Sequence, residues 1–139
     1  MVSSNNVRGF TLLELMIVVL LVAIVATIAV PGFSRLIESN RITSYTNTVL
    51  GAFSFARTEA IRVGDRIDVV ANGGNWGGGF VVEQGGNVVR EIAPPPTGIA
   101  LNRLDGGGAQ FTFRATGELV GGDAEFEVCG ADEIGRAHV

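Results

Sequence analysis

The chain has 139 residues, long enough for one folded domain beside a membrane helix, and a formal net charge of −4. All ten basic residues are arginine, and between Val63 and Asp132 four arginines stand against ten aspartates and glutamates. That balance offers no basic footprint for a phosphate backbone, so no nucleic-acid partner is expected on the residues present. The single cysteine, Cys129, cannot form an internal disulfide and does not identify the redox compartment.

Residues 1–9 form a short polar leader, and the apolar run after it predicts a transmembrane helix segment over residues 10–30. From Leu15 to Phe33 there is no charged residue, and Thr27 is the only polar side chain. This run spans about 28 Å at 1.5 Å per residue, close to the thickness of the bilayer hydrocarbon core. A cleaved secretory signal is the alternative. Its apolar core would be shorter and would end in a small-x-small site, which this run lacks.

One carboxylate, Glu14, lies near the start of this apolar segment. A charge at the centre of a bilayer helix costs about 2.5–3.5 kcal/mol, so a carboxylate there needs a partner or a polar boundary. The first turn of a helix also favours an acid, because the helix dipole is positive at that end. Two interpretations therefore stand side by side: an acid that has a charged partner within the apolar segment, and an acid that merely marks the membrane boundary.

Residues 31–64 are predicted to continue the helix as an amphipathic segment. Pro31 removes a backbone donor and is expected to kink the helix near Thr27. Apolar side chains recur at spacings of three and four, so one side of this helix should pack on a core. The apolar set is Ile42, Tyr45, Val49, Phe53, Ala56 and Ala60. Gly64 is the expected C-cap.

Over residues 65–132 the hydrophobic period changes to two, and glycine-rich turns separate the segments. Strands are predicted over residues 66–70, 80–83, 88–92, 99–101, 109–114 and 124–129. Residues 84–87 are predicted to form a hairpin turn, and the three prolines after residue 93 should end that pairing. The expected fold class is α+β, with a long N-terminal transmembrane and amphipathic helix packed on an antiparallel β-sheet.

The start of the helix carries the motif Gly9-Phe10-Thr11-Leu12-Leu13-Glu14-Leu15. It resembles the N-terminal signature of type IV prepilins and type II secretion pseudopilins. The resemblance implies a pilin-like fold, cleavage by a prepilin peptidase between Gly9 and Phe10, and N-methylation of the new N-terminus on Phe10. It also implies that Glu14 forms an assembly salt bridge with the Phe10 amine of its own chain or of a neighbouring subunit.

The segment from Phe53 to Gly64 is similar to the helix end of the GspH/FimT family. That family comprises the H-type minor pseudopilins of type II secretion and related minor pilins of type IV pili. The resemblance continues through a glycine-rich loop carrying Trp76 and the segment FTFRATGE at residues 111–118, and it extends to about Gly130.

The chain departs from the family pattern in two ways. Val70 stands where members often carry a cysteine, which leaves Cys129 without that candidate partner. Members also usually continue with further strands and a basic tail, so the β domain over residues 65–132 is expected to be truncated. Residues 133–139 resemble an in-frame reading of a sequencing adapter and are expected to be an artefact, so His138 carries no functional argument.

The resemblance implies a structural subunit, not an enzyme: a minor pseudopilin of a type II protein secretion system. It would lie in the bacterial inner membrane as a single-pass protein, with a cytoplasmic N-terminus and a periplasmic C-terminal domain. Its partners would be the prepilin peptidase, the membrane, and other pseudopilins or pilins through the N-terminal helix. A minor pilin of a type IV pilus, for motility or DNA uptake, is one alternative. A membrane-anchored extracytoplasmic binding domain or enzyme that does not polymerise is another.

The remaining residues predict neither catalysis nor a cofactor or metal. There is no HExxH motif and no paired Ser/His arrangement, and without lysine the glycine clusters predict turns instead of a phosphate loop. Asp105, Asp123, Glu125 and Glu127 match no calcium-loop spacing. Trp76 is expected to cap the edge of the core, with a recognition role as the alternative.

Overall fold

The structure is a computed structural model that describes residues 10–130 and 134–138. The chain divides into two compact units, Met1–Ile37 and Glu38–Val139. One α-helix, α1, runs from Leu12 to Val63, and strands follow it to the end of the described chain. The predicted α+β class, a long N-terminal helix followed by antiparallel strands, is confirmed. The predicted leader over residues 1–9 lies outside the described residues.

The helix ends where the sequence predicts a C-cap. The backbone N–H groups of Gly64 and Asp65 both donate to the carbonyl of Ala60, at 3.0 and 3.3 Å. Gly64 has a φ of +68°. These bonds satisfy a carbonyl that the helix end would otherwise leave without a donor. The expected C-cap at Gly64 is therefore confirmed.

Among the described residues, seven strands form two antiparallel sheets, one strand more than the six that the sequence predicted. The strands are β1 (Ile67–Ala71), β2 (Phe80–Gln84), β3 (Asn87–Ile92), β4 (Ala100–Arg103), β5 (Gln110–Phe113), β6 (Glu125–Cys129) and β7 (Ile134–His138). One sheet has the order β3-β2-β1-β5 and the other β4-β6-β7. The loops after β3, β4 and β5 each carry the chain from one sheet to the other. A period of two indicates which face of a strand is buried, but not which strand it pairs with.

Strand β7 lies within residues 133–139, which are expected from the sequence to be an artefact. It pairs with β6, with Ile134 opposite Cys129 and His138 opposite Glu125. Strand pairing does not report the origin of a sequence, so the assignment of residues 133–139 stays a prediction.

In the unit Glu38–Val139, the apolar face of α1 packs on both sheets. All six residues predicted for this face are buried, together with Ala52. The Phe53 ring lies at the centre, with its centroid 5.4 Å from that of Phe80, 5.1 Å from Phe111 and 4.9 Å from Phe126. Phe80 and Phe111 belong to the first sheet and Phe126 to the second, so one helical side chain joins all three elements.

Tyr45 fixes the helix to the chain that leaves β3. The side chain is largely buried, and its hydroxyl donates a hydrogen bond of 3.2 Å to the carbonyl of Ala93. Burial raises the pKa of Tyr45 to about 12, because the phenolate would lose its hydration. The side chain therefore stays a neutral donor well above physiological pH.

Candidate assembly site

The N-terminal turn of α1 places Glu14 in a capped helix end. The helix begins at Leu12, and the backbone N–H of Glu14 donates a hydrogen bond of 3.2 Å to the Thr11 hydroxyl. Thr11 is thus the N-cap and Glu14 the third helical residue, the spacing of a capping box. This structural role of the Thr11–Glu14 pair was not predicted, although the order Thr-x-x-Glu is a known indicator of a helix start.

Of the two other residues in the predicted site, Phe10 and Gly9, the structure describes only Phe10. Phe10 precedes the helix and is 73 % exposed. Gly9, the predicted cleavage position, lies outside the described residues. Cleavage, methylation and the Glu14 salt bridge to the Phe10 amine therefore remain predictions.

The helix presents a continuous apolar surface after this turn. Every side chain described between Phe10 and Ile37 is exposed. Within the described residues, α1 is the one helix long and apolar enough to cross a membrane. The Thr27 hydroxyl donates to the Ile24 carbonyl at 2.7 Å, which satisfies the polar group inside the segment. Such a surface requires lipid or other apolar helices around it.

Helix α1 continues through Pro31 without interruption. A continuous helix can still bend at a proline, so the predicted kink near Thr27 stays a prediction.

At the other end of α1, two segments that carried the family resemblance meet in space. The loop after β5 brings Gly117 against the last turns of the helix. A Cβ at residue 117 would lie 2.7 Å from Cδ1 of Ile61 and 3.3 Å from Nε of Arg57. Gly117 also has a φ of +81°, which side chains rarely adopt. The glycine of FTFRATGE is therefore required both by the turn and by its close approach to the helix.

Family models match both parts of the chain. The model described as "Type II transport protein GspH" matches residues 45–139, more than half of the chain. The model described as "Prokaryotic N-terminal methylation motif" matches residues 4–30. The chain belongs to the GspH family.

Solved structures agree with this assignment at the level of the fold. The type IV minor pilin FimU of Pseudomonas aeruginosa, in a crystal form of space group P21, matches with a TM-score of 0.63 and 20 % identity over 73 % of this chain and 84 % of that chain. A second crystal form of FimU, in space group P65, gives a TM-score of 0.52 and 20 % identity over 66 % and 77 %. At this identity the matches show a pilin-like fold alone. No curated protein gives a significant match.

Trp76 of this GspH-family chain belongs to the core. It is 6 % exposed, and its ring centroid lies 4.8 Å from that of Phe126 and 5.7 Å from that of Phe111. Its Nε1–H donates to the carbonyl of Gly108 at 3.4 Å. The tryptophan sits between the two sheets, so the expected core role is confirmed at a more central position than the predicted edge.

The four acids considered as a cation site have separate surroundings. Asp105 pairs with Arg103, Asp123 lies in the loop before β6, and Glu125 and Glu127 alternate along β6. Among residues 10–130 and 134–138, no three histidine, cysteine or acidic side chains gather where they could hold a metal ion.

Arg103 has a structural role in the GspH-family domain that was not predicted from the sequence. Its guanidinium makes two bonds to the Asp105 carboxylate, Nε to Oδ1 at 2.6 Å and Nη2 to Oδ2 at 2.8 Å. Nη1 donates to the carbonyls of Gly108 and Gln110 at 3.1 and 3.0 Å. Because one guanidinium closes the loop from residue 104 to residue 109, this arginine replaces the regular pairing that a glycine-rich loop lacks.

We predict that the Arg103–Asp105 pair stabilises the domain at neutral pH and that this stabilisation is lost in acid. The hydrogen bond from Arg103, with smaller contributions from the Gly107 N–H and the arginine charge, holds the pKa of Asp105 below its usual range. A carboxyl with a lowered folded-state pKa stabilises the fold above its unfolded pKa of about 3.9, and this stabilisation is lost as pH falls through the folded pKa. Asp105→Asn should lower stability by about 1 kcal/mol at pH 7 and weaken the loss below pH 4.

Thermal unfolding of the detergent-solubilised chain between pH 7 and pH 2 measures this effect. Glu91→Gln, which changes an exposed carboxylate on β3, is the matched control and should follow the wild-type curve. If Asp105→Asn and wild type lose stability in parallel below pH 4, Asp105 does not carry the effect.

Proposed function

We propose that this chain is a minor pseudopilin of a type II protein secretion system. In this proposal the chain is anchored in the inner membrane by its apolar helix. It is cleaved after Gly9 and methylated on Phe10, and it is then incorporated into a short filament. The observation that carries the proposal is the combination of a GspH domain with an N-terminal methylation motif on a helix whose apolar side chains are exposed.

The proposed role of Glu14 follows from charges near the helix start. Cleavage after Gly9 would create an amine on Phe10, four residues before Glu14. Both groups would then lie at the edge of an apolar segment. Burying either charge alone there costs more free energy than burying the two as an ion pair. We infer that Glu14 pairs with the Phe10 amine of its own chain or of a neighbouring subunit, so that the charge penalty favours the assembled state.

The proposed topology places the leader in the cytoplasm and the unit Glu38–Val139 outside the inner membrane. The methylation motif and the apolar helix support membrane anchoring. Family and fold are those of structural pilins, so the proposed partners are the prepilin peptidase and other pseudopilins or pilins, and no catalytic activity is proposed.

A minor pilin of a type IV pilus is the second candidate, and the fold match to the minor pilin FimU favours it. Deletion of the gene followed by complementation distinguishes the two candidates. The secretion proposal expects that the deletion strain loses secreted proteins from the medium, retains its pili, and recovers secretion with the full chain. Loss of pili with normal secretion would favour the pilus candidate.

We predict that Gly9→Val leaves the chain as an uncleaved precursor, because a side chain at residue 9 would hinder the approach of the peptidase to the backbone. Intact-mass spectrometry of the membrane fraction should show the wild type without residues 1–9 and the variant with them. Gly51→Ala is the control, since a Cβ at this helical position meets nothing within 4 Å. If the wild type itself retains the leader, the non-polymerising anchored domain becomes the better hypothesis.

A further inference from the structure

Residues 105–108, with the sequence Asp-Gly-Gly-Gly, lie in the loop that connects β4 of the second sheet to β5 of the first. We call these residues the glycine strap. All of them are exposed, and none has an apolar side chain to bury. The residues on either side are held by the backbone: the Leu104 N–H donates to the Glu125 carbonyl at 2.8 Å, and the Ala109 carbonyl accepts from the Ala71 N–H at 2.7 Å. The strap between them is therefore held by hydrogen bonds instead of burial.

Among the described residues, two side chains of the folded core fasten the strap. The indole N–H of Trp76 donates to the carbonyl of Gly108 at 3.4 Å. The Arg103 guanidinium makes two hydrogen bonds to the Asp105 carboxylate and a third to the Gly108 carbonyl. Both Trp76 and Arg103 are thus partnered by the strap, and its opening would leave both without these partners.

Arg103 contacts the strap and the aromatic core at the same time. A Cβ at residue 107 would overlap the guanidinium, so Gly107 allows the strap to lie directly against it, whereas a Cβ at residue 108 would meet nothing within 4 Å. The same guanidinium lies 5.6 Å from the ring centroid of Phe111 and 5.8 Å from that of Phe126. The Arg103 side chain is only 10 % exposed. The closed strap therefore keeps a cation buried against the aromatic rings.

The free energy needed to open the strap is expected to be smaller than that needed to unfold the domain. Opening exchanges hydrogen bonds within the protein for hydrogen bonds to water, so the net loss per bond is modest. Three consecutive glycines also gain more backbone freedom on release than other residues would. Unfolding of the domain, in contrast, exposes the apolar side chains of its core to water. The strap therefore has the properties of a segment that opens locally.

We propose that the glycine strap opens as a unit while the rest of the domain stays folded, and that its opening uncovers Trp76 and the Arg103 guanidinium. The indole N–H then loses its acceptor and the guanidinium loses its anion. A hydrogen-bond donor and a cation become accessible together beside the aromatic rings of the core. This conformational device belongs to the folded domain itself, and the inference does not depend on the proposed function.

Trp76 is the single tryptophan of the chain, so its indole N–H reports the opening of the strap without overlap from another residue. Hydrogen exchange is measured by NMR on the isotope-labelled, detergent-solubilised full chain and corrected for intrinsic rates. The Trp76 Nε1–H should exchange faster than the backbone amides of the central strand β1. Low concentrations of urea should accelerate the β1 amides and leave Trp76 nearly unchanged, because local opening exposes little surface.

Two neighbouring glycines provide a matched pair of variants. Gly107→Ala should raise the exchange rate of the Trp76 Nε1–H about tenfold, the factor for about 1.4 kcal/mol, because Arg103 can avoid the added methyl group only by leaving its partners. Gly108→Ala is the control and should exchange like the wild type, since its Cβ meets no neighbour. Asp105→Asn removes the anion without adding a methyl group. It should also accelerate exchange, and it keeps the test decisive if Gly107→Ala does not fold.

Three results would overturn the inference. The first is a Trp76 Nε1–H that exchanges no faster than the β1 amides in the wild type. The second is an exchange rate of Trp76 that rises with urea as steeply as the rates of the β1 amides, since both would then exchange by unfolding of the domain. The third is equal Trp76 exchange in Gly107→Ala and Gly108→Ala, or in Asp105→Asn and the wild type.

Discussion

Replacing Glu14 by alanine should leave cleavage after Gly9 largely intact and strongly reduce the amount of the chain found in filaments. The substitution leaves the proposed Phe10 amine without its partner in an apolar surrounding. Removing one member of a buried ion pair costs about 3–5 kcal/mol, which corresponds to a loss of more than about a hundredfold in the equilibrium for incorporation. The measurement is the ratio of cleaved chain in sheared filaments to cleaved chain in membranes.

The capping hydrogen bond at the start of α1 makes a sharper comparison necessary, because Glu14 could act through its charge or through the helix end. Glu14→Gln keeps a side chain suited to a capping box and removes the charge. Thr11→Ala removes the cap, at a cost of about 1 kcal/mol, and keeps the charge. If assembly depends on the ion pair, Glu14→Gln should fail like alanine and Thr11→Ala should be incorporated nearly normally. The opposite result would show that Glu14 serves the helix end.

Local patterns in the sequence predicted the elements of this fold well. The helical face from Ile42 to Ala60 could be read from spacings of three and four, and every predicted member is buried. Gly64 marked the helix end because glycine is favoured after the last helical turn. The turn at residues 84–87 joins β2 and β3 as predicted. In each case the cause lies within a few residues of its effect.

Features that depend on distant residues were not predicted. The division into two sheets is decided by which strands pair, and alternation within one strand does not carry that information. The four bonds of Arg103 depend on the path of a glycine-rich loop, and the packing of the FTFRATGE turn on the helix end depends on Gly117 reaching Ile61. The predicted salt bridge of Glu14 is not tested by the structure, because its partner, the Phe10 amine, would exist only after cleavage.

Phe53→Ala should produce the largest loss of domain stability among single core substitutions. The side chain is 2 % exposed, and its ring contacts Phe80, Phe111 and Phe126. Truncating a buried phenylalanine costs about 3–5 kcal/mol through lost burial and the cavity left behind. For a domain of this size each 1 kcal/mol lowers the melting temperature by about 4–8 °C, so the expected loss exceeds about 12 °C. Thermal unfolding of the detergent-solubilised chain measures it.

Phe55→Ala provides the matched control two residues away on the same helix. Phe55 is half-buried, and the Arg90 guanidinium lies 5.2 Å from its ring centroid. Its truncation should cost about 1 kcal/mol, because less apolar surface is lost and solvent can fill the space. Comparable losses for the two variants would mean that the ring joining the helix to both sheets is not the centre of the core. A large loss confined to Phe53→Ala would show that this ring, which contacts residues of both sheets, is the centre of the core that joins them to the helix.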